Sequence, residues 1–483
     1  MGIDNFHSLL KQKYKDCFLE VHKKMRYDHI YFDINHILHH VIYIAKNEND
    51  FKHKLFYSLD HFLNKFFVLH SVTFAVDGPS PYSKIKLQRK RRMLHKADED
   101  FTKLNSIYLT PGTKFMSNVT LFLNEYIEKR KRKYKYRNVK FIIFDTSLPD
   151  EGEIKLLKTL KENGKNFNHT HLVVGNDADL VVICMSASPI YNIDICIKVK
   201  GTFNIVSIKK LILSHYQKYE KNIRVPKTID NLKNNSFRYD FNMISIMMGN
   251  DYIPKLQYVK TNVLWESYDY TKNKLNCNLL NNKLEINYDF MIHMLRKIVS
   301  QVAKQFKFFT LESYSEENCK NYIEGLLWCV NMYSTGKCSA YDYEYNGKKA
   351  PSPTELQFFF ESEKRNIKVP INDSKPISHD VYPLLVMPKK AKNLINYKFH
   401  HAMDNQLKYL YLEEESPKCN ELKTKLSNLH KKMYLLRKEN KIEELEIIKS
   451  QISDYSKKLL NEKKKYEFTF DINKILNQIN HPL

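Results

Sequence analysis

Leu172-Val173-Val174-Gly175-Asn176-Asp177-Ala178-Asp179 is the stretch whose reading decides the fold. Three β-prone apolar residues stop at a glycine, and two carboxylates follow. The same design recurs at Ile30-Tyr31-Phe32 before Asp33 and at Val72-Thr73-Phe74-Ala75-Val76 before Asp77. It recurs again at Phe141-Ile142-Ile143-Phe144, ahead of Glu151 and Glu153, and Met247-Met248-Gly249-Asn250-Asp251 closes on a further acid. Short apolar runs of this kind read as buried parallel strands, and ligands bind at the C-terminal strand edge of open α/β sheets. Carboxylates crowded there repel one another unless cations lie between them. Glu151 and Glu153, like Asp177 and Asp179, are two residues apart, which in an extended segment turns both side chains the same way. Any one of these acids alone reads as a surface acid or a helix cap. Together, seven carboxylates from five segments read as a site for Mg²⁺ or Mn²⁺, hard cations that take oxygen ligands. Two such ions would stabilise the attacking and leaving oxygens of a phosphodiester under hydrolysis.

The chain around these acids is basic. Lys and Arg number 78 against 54 Asp and Glu, a net charge of +24 over 483 residues. That excess favours a polyanion, usually nucleic acid or an acidic membrane surface. The length allows a large core and more than one folded unit. The longest apolar runs are too short to span a bilayer. No signal peptide opens the chain, and Phe6 stands where myristoylation of Gly2 wants Ser or Thr. The eight cysteines are scattered with no Cys-x-x-Cys pair, which points to a reducing compartment and no structural zinc. Lys, Asn, Ile and Tyr are abundant beside only 11 Gly, the mark of an AT-rich genome. The expected setting is cytoplasmic, with no membrane.

Residues 1–260 alternate strand-like and helix-like stretches and are expected to form an α/β nuclease core with a mostly parallel central sheet flanked by helices. Residues 84–103 and 115–137 read as basic helices. Lys84, Gln88, Arg91 and Arg92 fall at i, i+4, i+7 and i+8, one helical face, where ammonium and guanidinium groups can grip a phosphate. The competing reading is a solvated basic helix or a localisation signal. Residues 261–410 are expected to be mainly helical, with a Tyr-rich loop over 337–351. Residues 411–483 form a helical hairpin and tail. Leu422, Leu426, Leu429, Met433 and Leu436, then Leu445, Ile448, Ile452, Tyr455 and Leu459, give two heptad seams. The 420–465 hairpin reads first as a packing element and second as an arm that docks a protein partner.

Several separate motifs resemble the Xrn 5′→3′ exoribonucleases. Phe32-Asp33-Ile34-Asn35 with His39 is similar to that family's first strand motif, and Ala75-Val76-Asp77-Gly78-Pro79 with Lys84 and Gln88-Arg89-Lys90-Arg91-Arg92 to its second. Thr110-Pro111-Gly112-Thr113-Lys114-Phe115-Met116 and Pro149-Asp150-Glu151-Gly152-Glu153-Ile154-Lys155 continue the series. Gly175-Asn176-Asp177-Ala178-Asp179-Leu180 and Gly249-Asn250-Asp251-Tyr252-Ile253-Pro254 resemble its last acidic motifs. Tyr322-Ile323-Glu324-Gly325-Leu326-Leu327-Trp328, Tyr333-Ser334-Thr335-Gly336 and Pro383-Leu384-Leu385-Val386-Met387-Pro388 resemble later ones, so the likeness runs in order to about residue 400. Ile154 and Asp150 depart from the family pattern, where a histidine and a glycine are usual. The tryptophans of the later loop are replaced around Tyr341 and Tyr343.

The resemblance implies a PIN/5′-nuclease-like core and two catalytic Mg²⁺ or Mn²⁺ ions held by Asp33, Asp77, Glu151, Glu153, Asp177, Asp179 and Asp251. It also implies a 5′-monophosphate pocket from Lys84, Gln88, Arg91 and Arg92, too small for a triphosphate or cap. His39, with Tyr341 or Tyr343, would stack unpaired bases without sequence preference. Met1-Gly2-Ile3 would pack near the site. The implied activity is metal-dependent hydrolysis of 5′-monophosphorylated single-stranded RNA to nucleoside 5′-monophosphates in mRNA turnover, by a monomer. The compact length is similar to forms that large DNA viruses encode, which would put it in host cytoplasm. Two readings compete. A flap-endonuclease-like DNA nuclease shares the metal logic, although Tyr252-Ile253-Pro254-Lys255 follows Asp251 in place of a Gly-x-Gly hairpin. A non-cutting RNA-binding relic would need the acids lost, and all seven are present.

Overall fold

The computed structural model describes residues 3, 6–93, 103–199, 201–219, 236–302, 314–347, 349–362, 367–438, 442–466 and 468–480. Met1 and Gly2, the 94–102 part of the expected basic helix and the 439–441 turn of the hairpin lie outside them. The chain divides into two compact units, one of residues 1–84 and 118–377, the other of residues 85–117 and 378–483.

The first unit is organised by one sheet. Its strands are β1 (Phe18–Glu20), β2 (Met25–Asp33), β3 (Phe66–Ala75), β4 (Lys140–Phe144), β5 (His171–Val174), β6 (Ile193–Val199) and β7 (Thr202–Ser207). Their order is β1-β7-β6-β5-β2-β3-β4. The five strands from β6 to β4 are all parallel, and β7 joins antiparallel to both β6 and β1. Ile30, Tyr31, Phe32, Val72, Phe74, Leu172 and Val174 are fully buried, because helices flank the sheet and keep these strands from water. All four apolar runs read as parallel strands are therefore strands, in the expected mostly parallel sheet. After β2 the chain adds β3 and β4 on one side, then returns to add β5 on the other. That reversal opens a crevice between the C-terminal ends of β2 and β5.

Helices Ser236–Ile246, Thr261–Leu275, Tyr288–Val302, Glu316–Thr335 and Pro353–Ser362 complete this unit. Glu316–Thr335 packs against Gly152–Asn163, Asp179–Ser186 and Ser236–Ile246, so its Tyr333 reaches the sheet's C-terminal edge. Its start is capped by Ser315, whose hydroxyl accepts from Asn318 N, and its end by Gly336 in the left-handed region.

The second unit is helical where described. Pro417–Lys438 and Ile442–Lys463 are two helices packed on each other, with Leu422, Leu436 and Ile448 buried. Arg89 is buried inside this unit. Its guanidinium donates to Leu385 O at 3.0 Å and to Leu410 O, between the rings of Tyr411 and Phe470. Arg89 thus leaves the basic run to become a core tie, in keeping with its place off the face of Gln88, Arg91 and Arg92. No helix among the described residues is long and apolar enough to cross a membrane.

Candidate active site

The crevice is walled by carboxylates. Asp33 is the last residue of β2, and Asp77 follows the end of β3. Glu151 and Glu153 lie at the start of helix Gly152–Asn163, and Asp179 opens helix Asp179–Ser186 just after Asp177. The two acid pairs are therefore not in extended segments, as their spacing first reads. Each straddles a helix N-terminus, where the chain leaves the sheet and turns back. The exposed backbone N–H groups of a helix start favour negative charge, which is why acids are tolerated there. Asp77 Oδ1 accepts from Gly152 N at 2.7 Å, and Asp177 Oδ1 from Asp179 N at 3.3 Å. Gly152 suits this close approach, since a Cβ there would stand 3.1 Å from Asp33 Oδ1 and 3.2 Å from Ala75 O, a tight fit.

Asp33, Glu151, Glu153, Asp179 and Asp251 are buried, and Asp77 and Asp177 half-buried. Asp33, Asp77 and Glu153 each offer a carboxylate oxygen, all within 4.8 Å of one another. Burial, then repulsion from Asp77, Asp177 and Glu151, drives the Asp33 carboxyl well above its ordinary range. Burial, then Glu151 and Asp33, does the same to Glu153. Asp179 is pushed up to about 8 by burial and by Asp177 and Asp251. These mutual repulsions tie all seven acids into one electrostatic cluster. Asp179 Oδ1 is buried with no hydrogen-bond partner among the described residues. A converging set of oxygen donors with an orphaned carboxylate oxygen fits a divalent cation.

The positive charge inside the cluster is Lys84. Its Nζ pairs with Glu151 Oε1, and with Asp251 Oδ2 at 2.9 Å, and is itself buried. Burial opposes its charge, but Glu151, Asp251 and Glu153 overcome that and hold it protonated. Gln88, Arg91 and Arg92 share the helix Tyr82–Met93 with Lys84 but belong to the second compact unit. There Arg92 Nε donates to Thr110 Oγ1 at 2.8 Å, and its Nη1 to the Gln88 side chain.

His39 is half-buried on helix Asn35–Ile44. Tyr341 is half-buried, and its hydroxyl donates to Asp150 Oδ2 at 3.1 Å. The Tyr343 ring stacks on Trp328 with centroids 5.1 Å apart, and its hydroxyl donates to Asn321 O at 2.7 Å.

Three residues at the site carry no signal of their own in the sequence reading. Tyr252 donates its hydroxyl to Glu151 Oε2, and Tyr333 donates to Asp179 Oδ2 at 2.9 Å. Lys155 donates to Val76 O at 2.7 Å and Asp145 O at 2.9 Å, bridging the segments that leave β3 and β4. Burial lowers its ammonium to about 8. Tyr252 could have been found as the neighbour of Asp251. Tyr333 lies 154 positions from Asp179, and only its motif drew notice.

Residues 1–195 match the family model of the XRN 5′-3′ exonuclease N-terminus. The Xrn resemblance is thereby borne out over the segment that supplies six of the seven acids. The chain is 26% identical over 299 residues to 5′-3′ exoribonuclease 1 of Saccharomyces cerevisiae, covering 53% of this chain and 19% of that protein. It is 24% identical over 313 residues to 5′-3′ exoribonuclease 1 of Homo sapiens, covering 54% and 18%. To 5′-3′ exoribonuclease 2 of Arabidopsis thaliana it is 26% identical over 200 residues, covering 34% and 20%. The chain thus spans about a fifth of the length of these curated Xrn relatives. A solved structure of the catalytic core of Rad2 in complex with DNA substrate aligns with 73% of this chain and 91% of that chain. At 12% identity and a TM-score of 0.35 that likeness is too slight to bear on the site.

Proposed function

We propose that the chain is a metal-dependent 5′→3′ exoribonuclease that hydrolyses 5′-monophosphorylated single-stranded RNA to nucleoside 5′-monophosphates, in RNA turnover. The observation that carries this reading is the convergence of seven carboxylates, three with oxygens within 4.8 Å of one another, at the switch point of the parallel sheet. The Xrn match over residues 1–195 supports the direction and the RNA substrate.

Asp33, Asp77, Glu151, Glu153, Asp177, Asp179 and Asp251 would hold two divalent ions, Mg²⁺ or Mn²⁺. Ions so held stabilise charge on the oxygens of the reacting phosphodiester and supply a nucleophilic water at neutral pH. The chain's own part is to fix the ligands. Tyr252 orients Glu151, Tyr333 orients Asp179, and the Gly152 amide orients Asp77. Lys84 holds Glu151 and Asp251 as a pair until substrate arrives. Lys84, Gln88, Arg91 and Arg92, on one helical face, would grip the 5′-monophosphate. His39 and Tyr341 would stack leading bases, and Tyr343 would offer only the ring face that Trp328 leaves open.

The deciding experiment incubates the protein with 5′-monophosphate, 5′-triphosphate and 5′-hydroxyl RNA, and with flap DNA, in Mg²⁺ and in EDTA. Progressive loss of the monophosphorylated RNA alone, abolished by EDTA, is expected. Equal cutting of flap DNA, or RNA binding without cleavage, overturns the reading. Arg92→Ala should erode the preference for monophosphate ends while cleavage persists.

A further inference from the structure

The same sheet carries a second group of metal-type donors, away from the crevice. Asp28 lies in β2, His70 in β3, and His169 just before β5. One donor atom from each of the three side chains lies within 4.8 Å of the other two. The β2–β3 register shifts between Tyr27 and His29, so the ladder is irregular where Asp28 and His70 meet. Such irregularities re-aim side chains that regular pairing would point apart.

We propose that Asp28, His70 and His169 form a second metal site, for a borderline divalent cation of the Zn²⁺ class. Two imidazole nitrogens and one carboxylate oxygen suit Zn²⁺ and its neighbours and disfavour Mg²⁺, the reverse of the all-oxygen crevice. His70 Nε2 and Asp28 Oδ1 are 3.4 Å apart. Metal bonds of about 2.0–2.1 Å at tetrahedral angles separate two donors by about that distance.

The supporting shell is already built. Asp28 Oδ2 accepts from both Thr170 N and Thr170 Oγ1, each at 2.8 Å, which leaves Oδ1 turned toward His70. His169 Nδ1 meets His29 Nε2 at 2.9 Å, and His29 Nδ1 meets Ser71 Oγ at 2.7 Å. That relay fixes the His169 ring from behind, as second-shell partners fix a ligating imidazole. Asn166 Nδ2 touches His169 Nε2 at 2.9 Å from an exposed position. The His70 and His169 rings stack with centroids 4.8 Å apart, and His70 is exposed, so the site is open to solvent and to a fourth, water ligand. A bound ion would clamp β2, β3 and the entry to β5 together. Cysteine spacing could not report such a site, because it uses no cysteine.

The test strips the full chain with a chelator and restores Mg²⁺ in excess, so that oxygen sites are occupied. Zn²⁺ is then titrated against a chromophoric chelator, with Co²⁺ absorption and Tm as second readouts. The expected result is one Zn²⁺ equivalent per chain that raises Tm. It should be lost in His70→Ala and His169→Ala, which keep wild-type circular dichroism, and retained in Asp33→Asn. Thr170→Val should weaken binding about tenfold. No competing Zn²⁺ in the wild type overturns the proposal. So does binding unchanged in His70→Ala, or lost in Asp33→Asn while His70→Ala keeps it.

Discussion

At the C-terminal edge of the parallel strands, carboxylates from Asp33 to Asp251 converge, five of them buried. Elsewhere on the same sheet, β2, β3 and the approach to β5 meet through one carboxylate and two imidazoles, with His70 exposed. The first group stores repulsion, because its like charges are held largely out of water, with the buried Lys84 among them. The second stores little, since it holds a single carboxylate, and Asp28 is answered by Thr170. The difference teaches that donor chemistry and burial together set what a metal does. In the crevice a cation would relieve a repulsion that burial maintains, whereas at Asp28 it would only tighten a sheet that already holds.

The sharpest way to break this comparison is to remove a crevice acid. Asp179→Asn or chelation by EDTA should abolish RNA cleavage in a gel assay, while Thr170→Val should leave it unchanged. Next is the buried lysine. Lys84→Met leaves Glu151 and Asp251 without their counter-charge and should destabilise the metal-free protein by about 3–5 kcal/mol, measured by denaturant unfolding, with Mg²⁺ or Mn²⁺ restoring part of the loss.

The pH dependence of the metal-free protein comes third. Asp33, Glu153 and Asp179 have folded pKa values raised by burial and by neighbouring acids, Asp179 to about 8. A raised carboxylate contributes stability that is complete below its unfolded value, near about 4, and is lost as pH rises through the folded value. Tm without divalent ions should therefore fall from about pH 4 to about pH 8 as these groups ionise. Added Mg²⁺ should restore it most at the alkaline end. A flat or rising Tm would remove the stored repulsion from the comparison. Smaller still, Tyr333→Phe removes one hydrogen bond to Asp179 and should cost about 1–2 kcal/mol, with a larger fall in kcat than in stability if the tyrosine orients a ligand. Smallest, Thr170→Val should cost about 1 kcal/mol by thermal unfolding.

The strands were legible because β5 and the C-terminal halves of β2 and β3 are buried on both faces, which writes each as an apolar run ending at a turn, and the half-buried β4 carries the same kind of run. The acids were legible because Asp33 and Asp77 end two of these runs, and Asp177 and Glu151 follow the other two after a short loop. What the spacing misread was local geometry: Glu151/Glu153 and Asp177/Asp179 sit at helix starts, and the two-residue period says nothing of where extended chain ends. Helical periodicity alone puts Arg89 off the face of Gln88, Arg91 and Arg92, and Arg89 is buried against Leu385 O and Leu410 O. Tyr343 stacks one ring face on Trp328, a pairing that composition does not announce.

The sequence by itself determined the strands, the carboxylates at their ends, the basic charge and the Xrn likeness, all of which depend on residues near one another in the chain. Tertiary structure alone decided that β5 returns beside β2 to open the crevice. It also decided that Tyr252 and Tyr333 steady Glu151 and Asp179, that Lys84 lies among the acids, and that Asp28, His70 and His169 meet. Those contacts join residues tens to hundreds of positions apart, and strand order and packing, not local pattern, bring them within reach.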